Sequence, residues 1–206
     1  MWVDQDLTPN RIRQRLLEVS QTPPHDPFPP GFFTRPARPA AVLIPLFRAQ
    51  GCWNLLFIRR TEAVNDRHAG QVAFPGGRAD EPGETAVETA LREASEEVGI
   101  SPEDVEILGS LNAFHTISNY LVTPVVGLLD WPTPLRLAPL EVARAFEIPV
   151  PWLAESANHQ ILYPLVPGFS VPQEVVYYRH YSGELLWGIS ARIVLNFIQL
   201  FGNQMD

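Results

Sequence analysis

The stretch Gly76–Ile100, GGRADEPGETAVETALREASEEVGI, constrains the fold more tightly than any other part of the chain. Thr85 followed three residues later by Glu88 is a capping box: the threonine oxygen accepts from the first turn and the glutamate reaches back to the cap. A helix therefore starts at Thr85, and Gly99 ends it. Val87, Ala90, Leu91, Ala94 and Val98 form one apolar stripe on such a helix, which predicts packing against a sheet. Glu93, Glu96 and Glu97 are related by three- and four-residue steps, so their side chains meet over one turn, on an arc expected to face solvent. Two such charges ~6 Å apart repel by roughly 2–3 kcal/mol at an effective dielectric of about 20. A hard divalent cation, Mg²⁺ or Mn²⁺, removes that repulsion while keeping room in its shell for waters and phosphate oxygens. Arg92 can pair with Glu96 one turn on, or orient Glu93. Before the helix, Gly76 and Gly77 allow a tight turn, and Arg78, Asp80, Glu81 and Glu84 follow. Arg78 reads either as a fork for a phosphate or carboxylate, or as a surface ion pair.

The rest of the composition narrows the classes of activity. At 206 residues and 23.1 kDa the chain has the size of one domain around a single core. Fifteen basic against 23 acidic side chains give −8, which argues against nonspecific binding to nucleic acid or to anionic membranes, so a phosphate-bearing substrate needs local neutralisation. Every basic residue is arginine, which excludes lysine Schiff bases and the phosphate-loop lysine. Cys52 is the only cysteine, so an intrachain disulfide is impossible and a reducing, cytoplasmic setting is expected. No apolar run reaches the ~18 residues of a membrane span, and Asp4 and Asp6 beside Met1 do not read as a signal peptide.

Along the chain, Leu7–Val19 has helical apolar spacing, and the proline-rich segment from Gln21 to Pro39 reads as an extended strap over the core. This divides the chain into residues 1–39, helix plus strap, and a main domain over 40–206. Ala40–Phe47 and Trp53–Arg59 read as a hairpin, Gln71–Phe74 as a short strand cut off by Pro75, and Val105–Leu108 and Tyr120–Val126 as further strands. Ile189–Phe201, stopped by Gly202, reads as a closing helix. Strands around a central helix with a terminal helix predict an α/β fold: a mixed sheet with helices on its faces.

The Gly76–Ile100 residues resemble the box of loop and helix that defines the Nudix hydrolases. Glu84, then seven residues, then Arg92, Glu93, Ala94, Ser95, Glu96, Glu97, Val98, Gly99 and Ile100 follow the family pattern, although six residues, not five, separate Gly77 from Glu84. The resemblance implies an α/β/α sandwich with a central mixed sheet, and Mg²⁺ or Mn²⁺ held by Glu93 and Glu97 with help from Glu96. It also implies that Arg92 steadies a glutamate while water attacks a phosphoanhydride of a nucleoside diphosphate derivative. Glu93 is the candidate base, with Glu141 as a rival on a loop. A narrower resemblance, to the coenzyme A diphosphatase branch, is carried by Leu55–Thr61, Arg67–Gly77, Leu121–Val125, Glu141–Val142 and Leu186–Ala191, with Asp66 departing from the basic residue usual there. It implies a small nucleotide substrate, coenzyme A or its thioesters, contacted by Arg60, Arg67, Gly76, Gly77, Arg78 and His115. Hydrolysis of another nucleotide such as ADP-ribose, or nucleotide binding without catalysis, stand as alternatives, and a homodimer is left open.

Overall fold

The computed structural model describes residues 7–20, 28–29, 31–62, 69–165 and 172–202. Strands β1 (Arg38–Ala49) and β2 (Cys52–Arg60) form the antiparallel hairpin at the centre of the sheet. Ala49 pairs with Cys52, so the turn is only Gln50 and Gly51, at φ 52° and 82°. Two successive positive φ values match the right-handed twist of the flanking strands, and this is why the strands run longer than the looser loop expected from Arg48 to Cys52.

The hairpin recruits the remaining strands along both edges. Strand β3 (Val72–Ala73) and β8 (Val142–Pro149) pair with β2, and β4 (Gly76–Arg78) pairs with β1, all antiparallel. Strand β7 (Tyr120–Leu129) runs parallel to β1 from Arg38↔Tyr120 to Leu46↔Leu128. Against β7 lie β5 (Val105–Ser110) and β6 (Phe114–His115), giving one mixed eight-stranded sheet. A separate ribbon joins β9 (His159–Leu162) to β10 (Val175–Tyr178).

Alternation along β2 sorts the two faces. Leu56 and Ile58 enter one core with Ala90, Ala94 and Val98 of helix α2 (Ala86–Val98). Leu55 and Phe57 enter the other, with Ile12 and Leu16 of α1 (Pro9–Ser20) and Val194 and Phe197 of α4 (Gly188–Gly202). Phe57 is fully buried and stacks on Phe74 at 4.6 Å between centroids, a side chain whose removal from water contributes about 2–3 kcal/mol. The expected α/β/α sandwich is the fold observed. A short helix α3 (Val150–Ala154) bridges β8 to the ribbon.

Four elements differ from expectation. Gly76 and Gly77 do not form a free turn; they are part of β4, because their bare backbones can approach β1 where a side chain would not fit. A Cβ on Gly76 would lie 2.4 Å from the Ala41 carbonyl oxygen. Strand β8 escapes sequence reading because its outward residues, Ala143 and Arg144, alternate only weakly with buried Val142, Phe146 and Ile148. In the β9–β10 ribbon β9 is exposed along most of its length, and β10 alternates in burial but is apolar or aromatic at all four positions, so neither strand carries a period-two polarity pattern in its sequence. Within the described part of the strap, Phe28, Phe32 and Phe33 pack on one another, and Phe33 lies 4.5 Å from the His115 ring. No helix among the described residues is long and apolar enough to cross a membrane.

Candidate catalytic and metal site

Helix α2 begins as its cap requires. The Thr85 oxygen accepts from the Glu88 N–H at 3.2 Å, and the Glu88 carboxylate accepts from the Thr85 N–H at 2.8 Å. Gly99 closes the helix in the left-handed region at φ 73°, donating back to Ser95 and Ala94. The loop 136–138 then covers the last turn: the Arg136 and Ala138 N–H groups donate to the carbonyls of Val98 and Glu97. The helix is held at both ends, so the carboxylates along it are held as well.

Arg92 is the hub of these carboxylates. Its Nε donates to Glu84 at 2.9 Å, its Nη1 to Glu93 at 3.0 Å and to Glu96 at 3.2 Å, and its Nη2 to the Arg78 carbonyl at 3.0 Å. Asp80, one of the loop acids before the helix, lies 3.5 Å from the same guanidinium. Glu84 also accepts from the Asp80 N–H at 2.8 Å. The hydrogen bond from Arg92, then that backbone donor, hold the Glu84 carboxyl down at about 2. Glu84 therefore occupies the steadying position despite the extra loop residue. That residue is taken up in a turn, where the Glu84 N–H donates to the Glu81 carbonyl and Gly83 adopts φ 96°.

The expected solvent-facing arc is not what forms. Glu96 is exposed, Glu93 is mostly covered, and Glu97 is 2% exposed, tucked between α2 and the sheet. Glu97 can be buried because β4 and β2 supply partners: the Gly76 N–H donates to it at 2.9 Å and the Arg60 guanidinium stands 3.7 Å away. Burial nevertheless dominates and pushes the Glu97 carboxyl up to about 7, and burial likewise raises that of Glu93. Gly77 lies under Glu93, where a Cβ would stand 2.4 Å from a carboxylate oxygen; only a glycine leaves that space.

Among the residues expected in the site, Arg60, Gly76, Gly77, Arg92, Glu93, Glu96 and Glu97 converge. Arg78 contributes its carbonyl to Arg92, while its exposed guanidinium pairs with Asp80 at 3.2 Å. His115 belongs to a different cluster, hydrogen-bonded to Asn119 at 3.0 Å and packed on Phe33. Arg67 lies outside the described residues. Glu141 is on the exposed turn before β8, where its charge adds to the upward push on Glu97. Beside Glu96 a cleft of about 530 Å³ opens, lined also by Ser95, Asp104, Thr133 and Arg136.

The donor set fits a hard divalent cation. Asp80, Glu84, Glu93, Glu96 and Glu97 outnumber the guanidiniums of Arg60, Arg78 and Arg92 that touch them, leaving negative charge in a half-buried volume. Among the described residues no three such groups close into a cage around one point. Mg²⁺ is commonly held by only one or two carboxylates, with waters and phosphate oxygens completing its shell.

Comparison with known proteins agrees with this geometry. The NUDIX domain matches residues 37–144. The chain is 40% identical over 168 residues to the uncharacterized Nudix hydrolase NudL of Photorhabdus laumondii, covering 82% of this chain and 87% of that one. It is 42% identical over 157 residues to the protein of the same name in Pectobacterium atrosepticum, covering 76% and 79%. A crystal structure of a MutT/nudix family protein from Enterococcus faecalis superposes with a TM-score of 0.51 at 16% identity, over 98% of this chain and 81% of that one, a likeness of fold alone. Enzymes of this kind hydrolyse small nucleotide derivatives, generally with a divalent metal ion, and the chain belongs to this family, the Nudix hydrolases.

Proposed function

We propose that the enzyme hydrolyses the diphosphate linkage of coenzyme A or its thioesters, giving 3′,5′-ADP and 4′-phosphopantetheine or its acyl derivative. One observation carries the substrate assignment. Two of the segments that resemble the coenzyme A diphosphatase branch, Leu55–Thr61 and the described part of Arg67–Gly77, form β2, β3 and β4, and of these β2 and β4 bring Arg60, Gly76 and Gly77 against Glu93 and Glu97. The resemblance thus includes the strands that bring Arg60, Gly76 and Gly77 to the carboxylates, alongside its other runs in β7, at the start of β8 and at the start of α4.

In this reading Glu93 and Glu97 would hold Mg²⁺ or Mn²⁺ with help from Glu96, waters and phosphate oxygens completing the shell. A divalent ion bound there neutralises diphosphate charge and lowers the pKa of the attacking water. Arg92 restrains Glu93 and Glu96 through one guanidinium, so the carboxylates do not have to reorganise when charge develops. Arg60 offers positive charge beside Glu97, and the flat Gly76–Gly77 backbone lets a phosphate approach without a side chain in the way. Glu93 would accept the proton of the attacking water on the carboxylate oxygen not used by Arg92, with Glu141 as the alternative base. The cleft beside Glu96 offers room for the part of the substrate beyond the diphosphate.

The test is product analysis by chromatography after incubation with Mg²⁺, and separately Mn²⁺, against coenzyme A, acetyl-coenzyme A, ADP-ribose, NADH and a nucleoside triphosphate. Release of 3′,5′-ADP from coenzyme A much faster than product from the others is the expected result. Turnover of ADP-ribose with none of coenzyme A would overturn the assignment.

A further inference from the structure

On the sheet face opposite α2, the alternation that sends Arg60 toward Glu97 sends Arg59 the other way. Arg59 of β2 is the registered partner of Arg144 of β8, so two guanidinium side chains stand directly opposite each other across an antiparallel pair. Like charges in that position are destabilising. Between them lies Glu184, delivered by the turn Tyr181–Glu184, whose ends hydrogen-bond to each other through both backbones. The Glu184 carboxylate is 7% exposed and accepts from Arg144 at 3.1 Å and from Arg59 at 3.4 Å. One buried carboxylate needs one cation; here it has two.

Both arginines remain substantially open to solvent, at 38% and 49% side-chain exposure, and each guanidinium has five N–H donors in a planar fork. Arg59 uses a second donor on Glu62, whose own side chain is 77% exposed and so easily displaced. Arg144 is braced from beneath by the Phe146 ring at 5.4 Å. A pair of forks fixed by one buried acid, with the other partner of Arg59 an exposed carboxylate and both guanidiniums partly open to solvent, suits recognition of a phosphate monoester.

We infer that Arg59 and Arg144, positioned by Glu184, form an anion subsite for a phosphate monoester of the substrate lying outside the diphosphate that is cleaved. Identifying that group as the 3′-phosphate rests on the coenzyme A reading; the subsite itself rests on the two guanidiniums. Glu184 acts through the arginines and is a positioning residue.

Calorimetric titration of the full chain, in Mg²⁺ buffer, with 3′,5′-ADP, 5′-AMP and ADP separates the possibilities. The expected result is that 3′,5′-ADP binds about tenfold more tightly than 5′-AMP, and that Arg144→Gln and Arg59→Gln each bring the ratio close to one. Melting temperatures check that each variant is folded. In the unsubstituted chain, 3′,5′-ADP but not 5′-AMP should shift the side-chain Nε–H resonances of Arg59 and Arg144, a readout that needs no variant. Equal binding of 3′,5′-ADP and 5′-AMP, or a preference that survives both substitutions, overturns the inference. So does sensitivity of ADP binding instead, which would assign the pair to the diphosphate. A chain that passes these tests yet leaves coenzyme A uncleaved keeps the subsite and loses the coenzyme A reading.

Discussion

The two faces of the central sheet carry charge clusters of opposite design. Beneath α2 a single guanidinium, Arg92, serves Glu84, Glu93 and Glu96, and carboxylates are in excess. On the other face a single buried carboxylate, Glu184, serves Arg59 and Arg144, with the exposed Glu62 as a second partner of Arg59. Each cluster is steadied by one well-held member; the first keeps carboxylates in excess, which suits a divalent cation, and the second keeps two solvent-open guanidiniums on one buried acid, which suits an anion. The comparison teaches that how charges are shared and exposed, rather than charge as such, marks where a ligand is expected.

The largest effect should come from removing charge on the carboxylate-rich face. Glu93→Gln and Glu97→Gln keep the shape of the side chain but remove a negative ligand, and each should lower kcat by about 10³-fold with fold retained. Steady-state kinetics with Mg²⁺ and Mn²⁺ check it; unchanged activity in Glu93→Gln would remove the metal assignment. Chelation should abolish turnover in the unsubstituted enzyme.

Next in size is a change that moves a carboxylate without removing it. Gly77→Ala places a methyl 2.4 Å from a Glu93 oxygen and 2.5 Å from its carboxyl carbon, and the side chain must swing aside because β4 is fixed to β1. The expected outcome is a loss of about 10²-fold in kcat from misplacement, with the circular dichroism spectrum and melting temperature near those of the parent. A large fall in melting temperature would instead mean that the strand had been displaced.

On the arginine-rich face the corresponding deletion is felt as stability. Glu184→Ala leaves two registered guanidiniums facing each other with no acid between them, and removes two charge-assisted hydrogen bonds. A loss of about 2 kcal/mol is expected, moderated by the exposure of both arginines, with a fall in melting temperature of roughly 4–8 °C. Double-mutant cycles between Glu184 and each arginine should show coupling, and independence would mean that the trio is not a unit.

These clusters also mark how far the sequence could be read. The α2 unit was legible because its cap, its apolar stripe and its acids lie within one turn or two of each other, where helical geometry alone determines neighbours. The burial of Glu97 was not legible. Its place on the helix borders the Ala94–Val98 stripe, and whether such an edge residue is buried depends on Arg60 and the Gly76 N–H, which arrive from β2 and β4. Glu84 could be matched by pattern, but its hold on Arg92 depended on how the 81–84 turn absorbs one residue. The Arg59–Glu184 contact spans 125 residues and needs the register of β2 with β8. Strand β8 itself shows only weak alternation, so no periodicity could have found that pair.

The smallest effect expected is a pH dependence at Glu84, and its sign distinguishes it from the buried acids. The folded protein holds this carboxyl at about 2, below its ordinary value of 4.5, chiefly through the hydrogen bond from Arg92. Between those values the unfolded chain binds a proton that the folded chain does not. The associated stabilisation is complete above about 4.5 and fades as the pH falls toward 2. Glu84→Gln cannot ionise, so melts recorded from pH 6 down to pH 2 should show the parent losing its advantage over the variant across that window. Glu97, pushed up to about 7, has the opposite slope in the absence of metal: folding favours its protonated form, so stability falls as the pH rises from 4.5 toward 7. A constant offset between parent and Glu84→Gln across the acid range would mean that Arg92 does not depress the Glu84 carboxyl. The carboxylate hub would then be steadied by the backbone of the 81–84 turn rather than by charge.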